Sequence, residues 1–233
     1  MIQVTRSGLV VSATAADLDC LRTQFGRQHC IQLPEFLSPD LLRFIQGRLE
    51  RGDFHDRIHE KVGLELCLTQ HDVALSLLYL LTNDPRLFQL VQQLTGCDRI
   101  GCLIGRVYRM VPGSGHYDSW HSDTILHRLI GVSINLSNET YEGGVFQLRD
   151  ASSKKILCQA ANTGAGDAIM FRIADPLEHQ ITAVTGTASK TAFAGWFKSE
   201  PEFRSLLVPE HFHESAQESD RAAALIDSGG DDQ

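Results

Sequence analysis

From Ile100 to Phe197 the chain runs in short apolar segments broken by Gly, Pro, Asn and Asp: Ile100–Met110, His116–Thr124, Ile130–Leu136, Gly144–Leu148, Ile156–Ala160, Asp167–Ile173, His179–Val184 and Thr191–Phe197. Runs of this length, bounded by residues that favour turns, read as strands rather than helices. Eight such strands at this spacing indicate two facing sheets, a jelly roll (double-stranded β-helix). The expected class is mostly β with flanking helices, α+β.

The residues before this core read differently. Thr14-Ala15-Ala16-Asp17 caps a helix carrying Leu18, Leu21 and Phe25, Ile31 to Phe36 is a short extended piece, and Ser38-Pro39-Asp40 caps a second helix. The stretch 51–70 is polar and rich in Asp, His and Glu, so a surface loop with short structure is expected there. Helices follow at about 72–82 and 84–95, the second opening on Asn83-Asp84-Pro85, and both would pack across a sheet. The expected division is a helical and strand flank over 1–99, the core over 100–205, and an acidic tail over 206–233 that buries too little apolar surface to order itself.

Composition narrows the partners. The net charge is −8, with no basic stripe, which argues against nucleic acid or an anionic membrane. No apolar run approaches a membrane span, and Met1-Ile2-Gln3-Val4-Thr5-Arg6 lacks the start of a signal peptide, so a cytoplasmic protein is expected. The six cysteines contain no Cys-x-x-Cys pair, which fits reduced thiols better than a disulfide frame or a zinc site.

Within the core, His121-Ser122-Asp123 and the distant His179 stand out. Residues two apart on a strand face the same side, so His121 and Asp123 would clasp one ion while another strand supplies His179. Two imidazoles and one carboxylate on one face of an octahedron leave positions open and suit non-haem Fe(II). A second pair, His116-Tyr117-Asp118, lies five positions earlier. On an uninterrupted strand that odd offset turns the two pairs to opposite sides, and only a bulge would reverse the assignment. Gly113-Ser114-Gly115 puts His116 at a loop edge, so His116 and Asp118 are expected at the rim.

A longer series carries a resemblance. Arg106-Val107-Tyr108-Arg109 before Pro112-Gly113, the His121-Ser122-Asp123 set, Val132–Ser137, Tyr141–Phe146, Gly166–Phe171, His179, Gly186, Lys190 and Trp196-Phe197 occur in order over residues 100–198. In this the sequence resembles the Fe(II)- and 2-oxoglutarate-dependent oxygenases, within them the prolyl-hydroxylase-like group. The resemblance implies Fe(II) held by His121, Asp123 and His179, with 2-oxoglutarate and O2 as co-substrates. It implies that Lys190, eleven positions beyond His179, grips the distal carboxylate, with Tyr108 or Asn135 as a further donor. The family usually places an Arg or Lys about ten positions beyond that histidine, often with a hydroxyl residue two positions later; here the Lys stands at eleven, and Ala192 takes the place of the hydroxyl. Arg172 and Arg106 are the substitutes if Lys190 faces water.

Each residue also has a plainer reading. A lone His is usually a hydrogen-bonded core or surface group, Lys190 would be an exposed strand-start cation, and Trp196 and Phe171 would be core. His55 and His59 would belong to a polar segment. The expected function is a dioxygenase hydroxylating a small-molecule or peptide substrate with release of succinate and CO2. The alternative is a catalytically silent jelly-roll module that binds or senses a metal. Oligomeric state is not legible.

Overall fold

The computed structural model describes residues 1–70, 72–125 and 127–207, so most of the expected acidic tail lies outside the described residues. A hairpin, β1 (Ile2–Thr5) and β2 (Gly8–Val11), precedes α1 (Ala15–Gln28), β3 (Cys30–Leu33) and α2 (Pro39–Leu49). A second hairpin, β4 (Phe54–His59) and β5 (Gly63–Leu68), leads into α3 (Val73–Thr82) and α4 (Pro85–Thr95). The remaining strands are β6 (Cys102–Met110), β7 (Tyr117–His121), β8 (Arg128–Asn135), β9 (Glu142–Gly143), β10 (Phe146–Asp150), β11 (Ile156–Ala160), β12 (Ala168–Arg172), β13 (Leu177–Ile181), β14 (Val184–Thr185) and β15 (Lys190–Lys198). A short α5 (Phe203–Leu206) follows.

Eleven strands form one antiparallel sheet that folds over on itself. One side runs β3-β12-β8-β15-β6 and the other β7-β13-β10-β11. Between them β5 pairs with both β6 (Cys67 opposite Tyr108) and β7 (Gly63 opposite Asp118), joining the two sides. This is the jelly roll expected from the eight runs.

The two-residue period of the strands separates two cores. On β15, Phe193 and Phe197 face outward and pack with the helices, in one cluster with Leu75, Leu78, Phe88 and Val91. Lys190 and Ala192 alternate with them on the inward face, where Ala192 joins Tyr108, Phe146 and Phe171. Each buried phenylalanine contributes roughly 1.5–3 kcal/mol. The helices are fixed at their starts: Thr14 and Asp17 form a reciprocal capping box, and Ser38, Asp72 and Asp84 each accept a backbone N–H.

One expectation fails here. Residues 54–68 are not a surface loop but the β4–β5 hairpin, bonded into the sheet. Its polarity misled because Arg57, His59 and Glu65 face a cavity, while Asp56 and Ile58 face solvent.

Candidate metal centre

Strands β7 and β13 bring the two histidines together. His179 lies directly opposite His121 in the ladder, in the middle of β13, and the ring centroids are 4.2 Å apart. One pair further on, Ile181 is opposite Asp118, so Ser119 and Trp120 together face the single residue Gln180. That extra residue is a bulge. It cancels the odd offset expected from the sequence: Asp118 is brought to the side of His121, with Oδ1 3.5 Å from Nδ1. His116 does not follow it, since its Nδ1 accepts the Val111 N–H at 2.9 Å and closes the preceding turn.

Asp123 lies beyond the end of β7, in a tight turn where its carbonyl accepts the Ile125 N–H, so the shared-strand geometry expected for His121 and Asp123 is only partly realised. Its carboxylate still meets the histidines. Asp123 Oδ2 is 3.6 Å from His179 Nε2, and one ligand atom from each of His121, Asp123 and His179 lies within 4.8 Å of the others. The His121 Nδ1 is 2.7 Å from the Ser119 carbonyl. A carbonyl only accepts, so the proton sits on Nδ1 and Nε2 is left with its lone pair for a metal.

The surroundings hold each group in its ligating form. Burial drives the His179 imidazole down to about 3, so it is neutral at pH 7. Burial pushes the Asp123 carboxyl up, but His179, Arg128 and His121 beside it and the Trp196 indole pull it down further and hold it well below the ordinary carboxylate range. With His179 neutral at pH 7, the Arg128 guanidinium and the Trp196 indole are the described donors that remain on the Asp123 carboxylate. Arg128 donates to Oδ1 at 2.7 Å, and Trp196 Nε1 donates to Oδ2 at 2.5 Å. The Arg128 guanidinium in turn lies 3.8 Å over the Trp196 ring. Trp196 is thus not the plain core residue its sequence context suggests, and no motif marks Arg128.

Phe171 also serves the site, its ring centroid 4.6 Å from that of His179. It reaches this position across Gly131, where a Cβ would come within 2.2 Å of the phenyl ring. Asp118, raised to about 6 chiefly by burial, completes the inner charges.

Deeper in the roll, Lys190 is buried rather than facing water, 1% exposed, and donates from Nζ to the Gly144 carbonyl at 2.8 Å. Gly144 has φ +57°, and a Cβ there would come within 2.9 Å of the Tyr141 ring and 3.0 Å of Lys190 Cδ, so the glycine makes room for the lysine. Burial lowers the Lys190 ammonium to about 8. Tyr108 and Asn135 both lie opposite Ala192. Burial holds the Tyr108 phenol well above its ordinary value, so it stays a donor. Both ends of the Asn135 amide are engaged by backbone, donating to Gly164 O at 3.0 Å and accepting from Ser137 N at 3.0 Å, which leaves at most one N–H for a ligand. Arg172 points elsewhere, donating to the Thr95 carbonyl and lying over Phe25. On the inward face of β8, the Ser133 Oγ is buried with no hydrogen-bond partner among the described residues.

The model of the 2OG-Fe(II) oxygenase superfamily matches residues 105–198, the stretch that carries all three candidate ligands and Lys190. Over that stretch the chain resembles the 2OG-Fe(II) oxygenase superfamily. In fold the chain is similar to a Pseudomonas putida prolyl-4-hydroxylase (TM-score 0.59, 15% identity, covering 79% of this chain and 100% of that one). It is also similar to a 2OG-Fe(II) oxygenase-family oxidoreductase from Burkholderia pseudomallei (TM-score 0.59, 15% identity, 86% and 97% covered). A prolyl hydroxylase from Trichoplax adhaerens, solved with a hypoxia inducible factor peptide fragment, has TM-score 0.54 at 14% identity, with 84% and 98% covered. No curated protein matches the sequence. The superfamily uses Fe(II), 2-oxoglutarate and O2, and the two imidazoles and one carboxylate are a donor set suited to that ion. The unpartnered Ser133 hydroxyl and the buried ammonium of Lys190 suit a polar co-substrate inside the roll. No helix among the described residues is long and apolar enough to cross a membrane.

Proposed function

We propose that this enzyme is an Fe(II)- and 2-oxoglutarate-dependent hydroxylase acting on a small-molecule or peptide substrate. The observation that supports it most is the meeting of His121, Asp123 and His179 inside the roll, with a buried lysine on the same inward surface. When bound, the metal and co-substrate supply an oxidation in which 2-oxoglutarate loses CO2 to give succinate and one oxygen atom of O2 enters a C–H bond.

The chain's own residues prepare that chemistry. His121 and His179 present imidazole nitrogens, and Asp123 presents one carboxylate oxygen while Arg128 and Trp196 fix its plane. Lys190 binds the distal carboxylate of 2-oxoglutarate as a point charge, with the Tyr108 hydroxyl and the remaining Asn135 N–H as further donors. Phe171 and Phe146 keep water from the His179 side. The silent-module reading has less support, because Lys190 is buried where that carboxylate would lie. Six free thiols fit a reducing, cytoplasmic setting, and the acidic charge gives no footing for nucleic acid.

The test is anaerobic addition of Fe(II) and 2-oxoglutarate, followed by air. A visible charge-transfer absorption and then succinate are expected. Neither appearing would sink the oxygenase reading and leave a metal-binding module.

A further inference from the structure

Beside the metal ligands lies a cavity of about 860 Å³. Its size falls in the range of roughly 300–1,000 Å³ that takes small organic ligands. Its inner end is charged: the guanidiniums of Arg57, Arg106 and Arg128 face the carboxylates of Glu65, Asp118 and Asp123, and a divalent ion on Asp123 tips that balance positive. Part of the wall is apolar. Leu80 and Leu207, 63% and 53% exposed, lie along it with Leu103, Ile104, Ile125 and Phe203. Two such exposed leucines are explained if an apolar ligand covers them.

Arg106 is the informative group. Its side chain is only 19% exposed, and Nε donates to Glu65 Oε1 at 2.5 Å. Among the described residues this is the only hydrogen bond of that guanidinium, so both terminal NH2 groups are unspent within the cavity. A buried Arg–Glu pair is poorly explained as a stability device, since apolar replacement is often neutral or better. It is well explained if Glu65 orients a fork meant for something else. A planar pair of NH2 groups matches a carboxylate in two-point contact. Arg106 and Arg128 also flank Trp196, the residue that donates to Asp123, so the fork lies close to the metal ligands.

We infer that the substrate is an amphipathic organic acid whose carboxylate is received by Arg106 and whose apolar body lies along the leucine and isoleucine wall. The inference rests on the oxygenase reading above. The co-substrate does not satisfy Arg106 in this arrangement. Arg106 pairs with Ala194 and is four positions along the strand from Lys190, about 13 Å at 3.3 Å per residue. One distal carboxylate does not use both.

The test uses the full chain loaded with Mn(II) and 2-oxoglutarate under nitrogen, so that binding is read without turnover. Decanoate, an aryl alkanoate and a sterol carboxylate are each compared with their methyl esters by calorimetry, beside a set of proline-containing peptides. At least one acid should bind about tenfold or more tightly than its ester, as loss of a charge-assisted pair implies. Arg106→Gln should remove that difference while leaving the affinity for 2-oxoglutarate unchanged, and Arg106→Lys should restore it in part. The inference is overturned if no acid outbinds its ester, if only peptides bind, or if Arg106→Gln weakens 2-oxoglutarate as much as the acid. Should Arg106→Gln not fold, the acid and ester comparison on the unmodified protein decides alone. Failure of the unmodified protein to take up 2-oxoglutarate would overturn the oxygenase reading and this inference together, and is seen before any acid is added.

Discussion

Asp118 and His121 stand three positions apart on one strand, yet Asp118 Oδ1 lies 3.5 Å from His121 Nδ1. Only the bulge at Ser119-Trp120 permits this, because a regular strand would turn the two side chains to opposite faces. The bulge also separates the two His-x-Asp pairs by role, leaving His116 to close a turn.

His121→Ala and His179→Ala should therefore each abolish stoichiometric iron binding, whereas His116→Ala should keep it. The His116 variant loses one hydrogen bond to Val111 and about 1 kcal/mol of stability. Colorimetric iron content after dialysis checks the set, and equal loss from His116→Ala and His121→Ala would contradict the assignment.

Trp196→Phe keeps the aromatic bulk but removes the donor to Asp123 Oδ2. Outer groups that orient a ligand are typically worth 10–100-fold in metal affinity. A weakening of roughly that size is expected in a competition titration with a chelating dye, with the melting temperature nearly unchanged. Unaltered affinity would show that Arg128 alone holds the carboxylate.

Lys190 has a folded-state value of about 8 against an ordinary 10.5. Burying its ammonium thus costs stability below pH 8, and that cost disappears as the pH rises toward 10.5. Carboxylate binding needs the charged form, so 2-oxoglutarate affinity should fall as the pH passes 8. Lys190→Met should lose about tenfold to a hundredfold at pH 7 and flatten that profile. Calorimetry with the Mn(II)-loaded protein across this range gives the answer.

In metal-free protein two inner groups oppose each other. His179 falls from 6.5 to about 3 on folding, so the unfolded chain binds the extra proton and stability drops as the pH falls below 6.5, by about 1.4 kcal/mol per unit. Asp118 rises from 3.8 to about 6, so the folded chain binds the extra proton and stability recovers as the pH falls from 6 toward 3.8. Asp118→Asn should remove that recovery and steepen the acid loss between about pH 6 and pH 4, read from urea melts at several pH values. Identical slopes with and without the substitution would mean that Asp118 does not titrate in this window.

Much of this was legible in the chain. Ile156–Ala160 forms a strand at its expected bounds, and Thr14, Ser38 and Asp84 cap the helices their side-chain chemistry predicts. The three candidate ligands could be picked out because their spacing matches a pattern tied to strand order. What stayed hidden has physical causes. In the β4–β5 hairpin the alternation of Leu64, Leu66 and Leu68 was masked by the polar residues around it, since the cavity-facing side holds Arg57, His59 and Glu65. The bulge leaves no mark in a two-residue period. The direction of the Trp196 indole N–H and the partner of Arg128 are set by strands far apart in sequence, which no local pattern records.

The β4–β5 hairpin bridges the two sides of the roll, while all three ligands come from β7, the turn after it, and β13. Residues 54–68 therefore reach the cavity through Arg57, His59 and Glu65 while holding none of the three candidate ligands: exchanging the hairpin would re-dress one part of the cavity lining and leave the residues that meet at His121, Asp123 and His179 unchanged in kind.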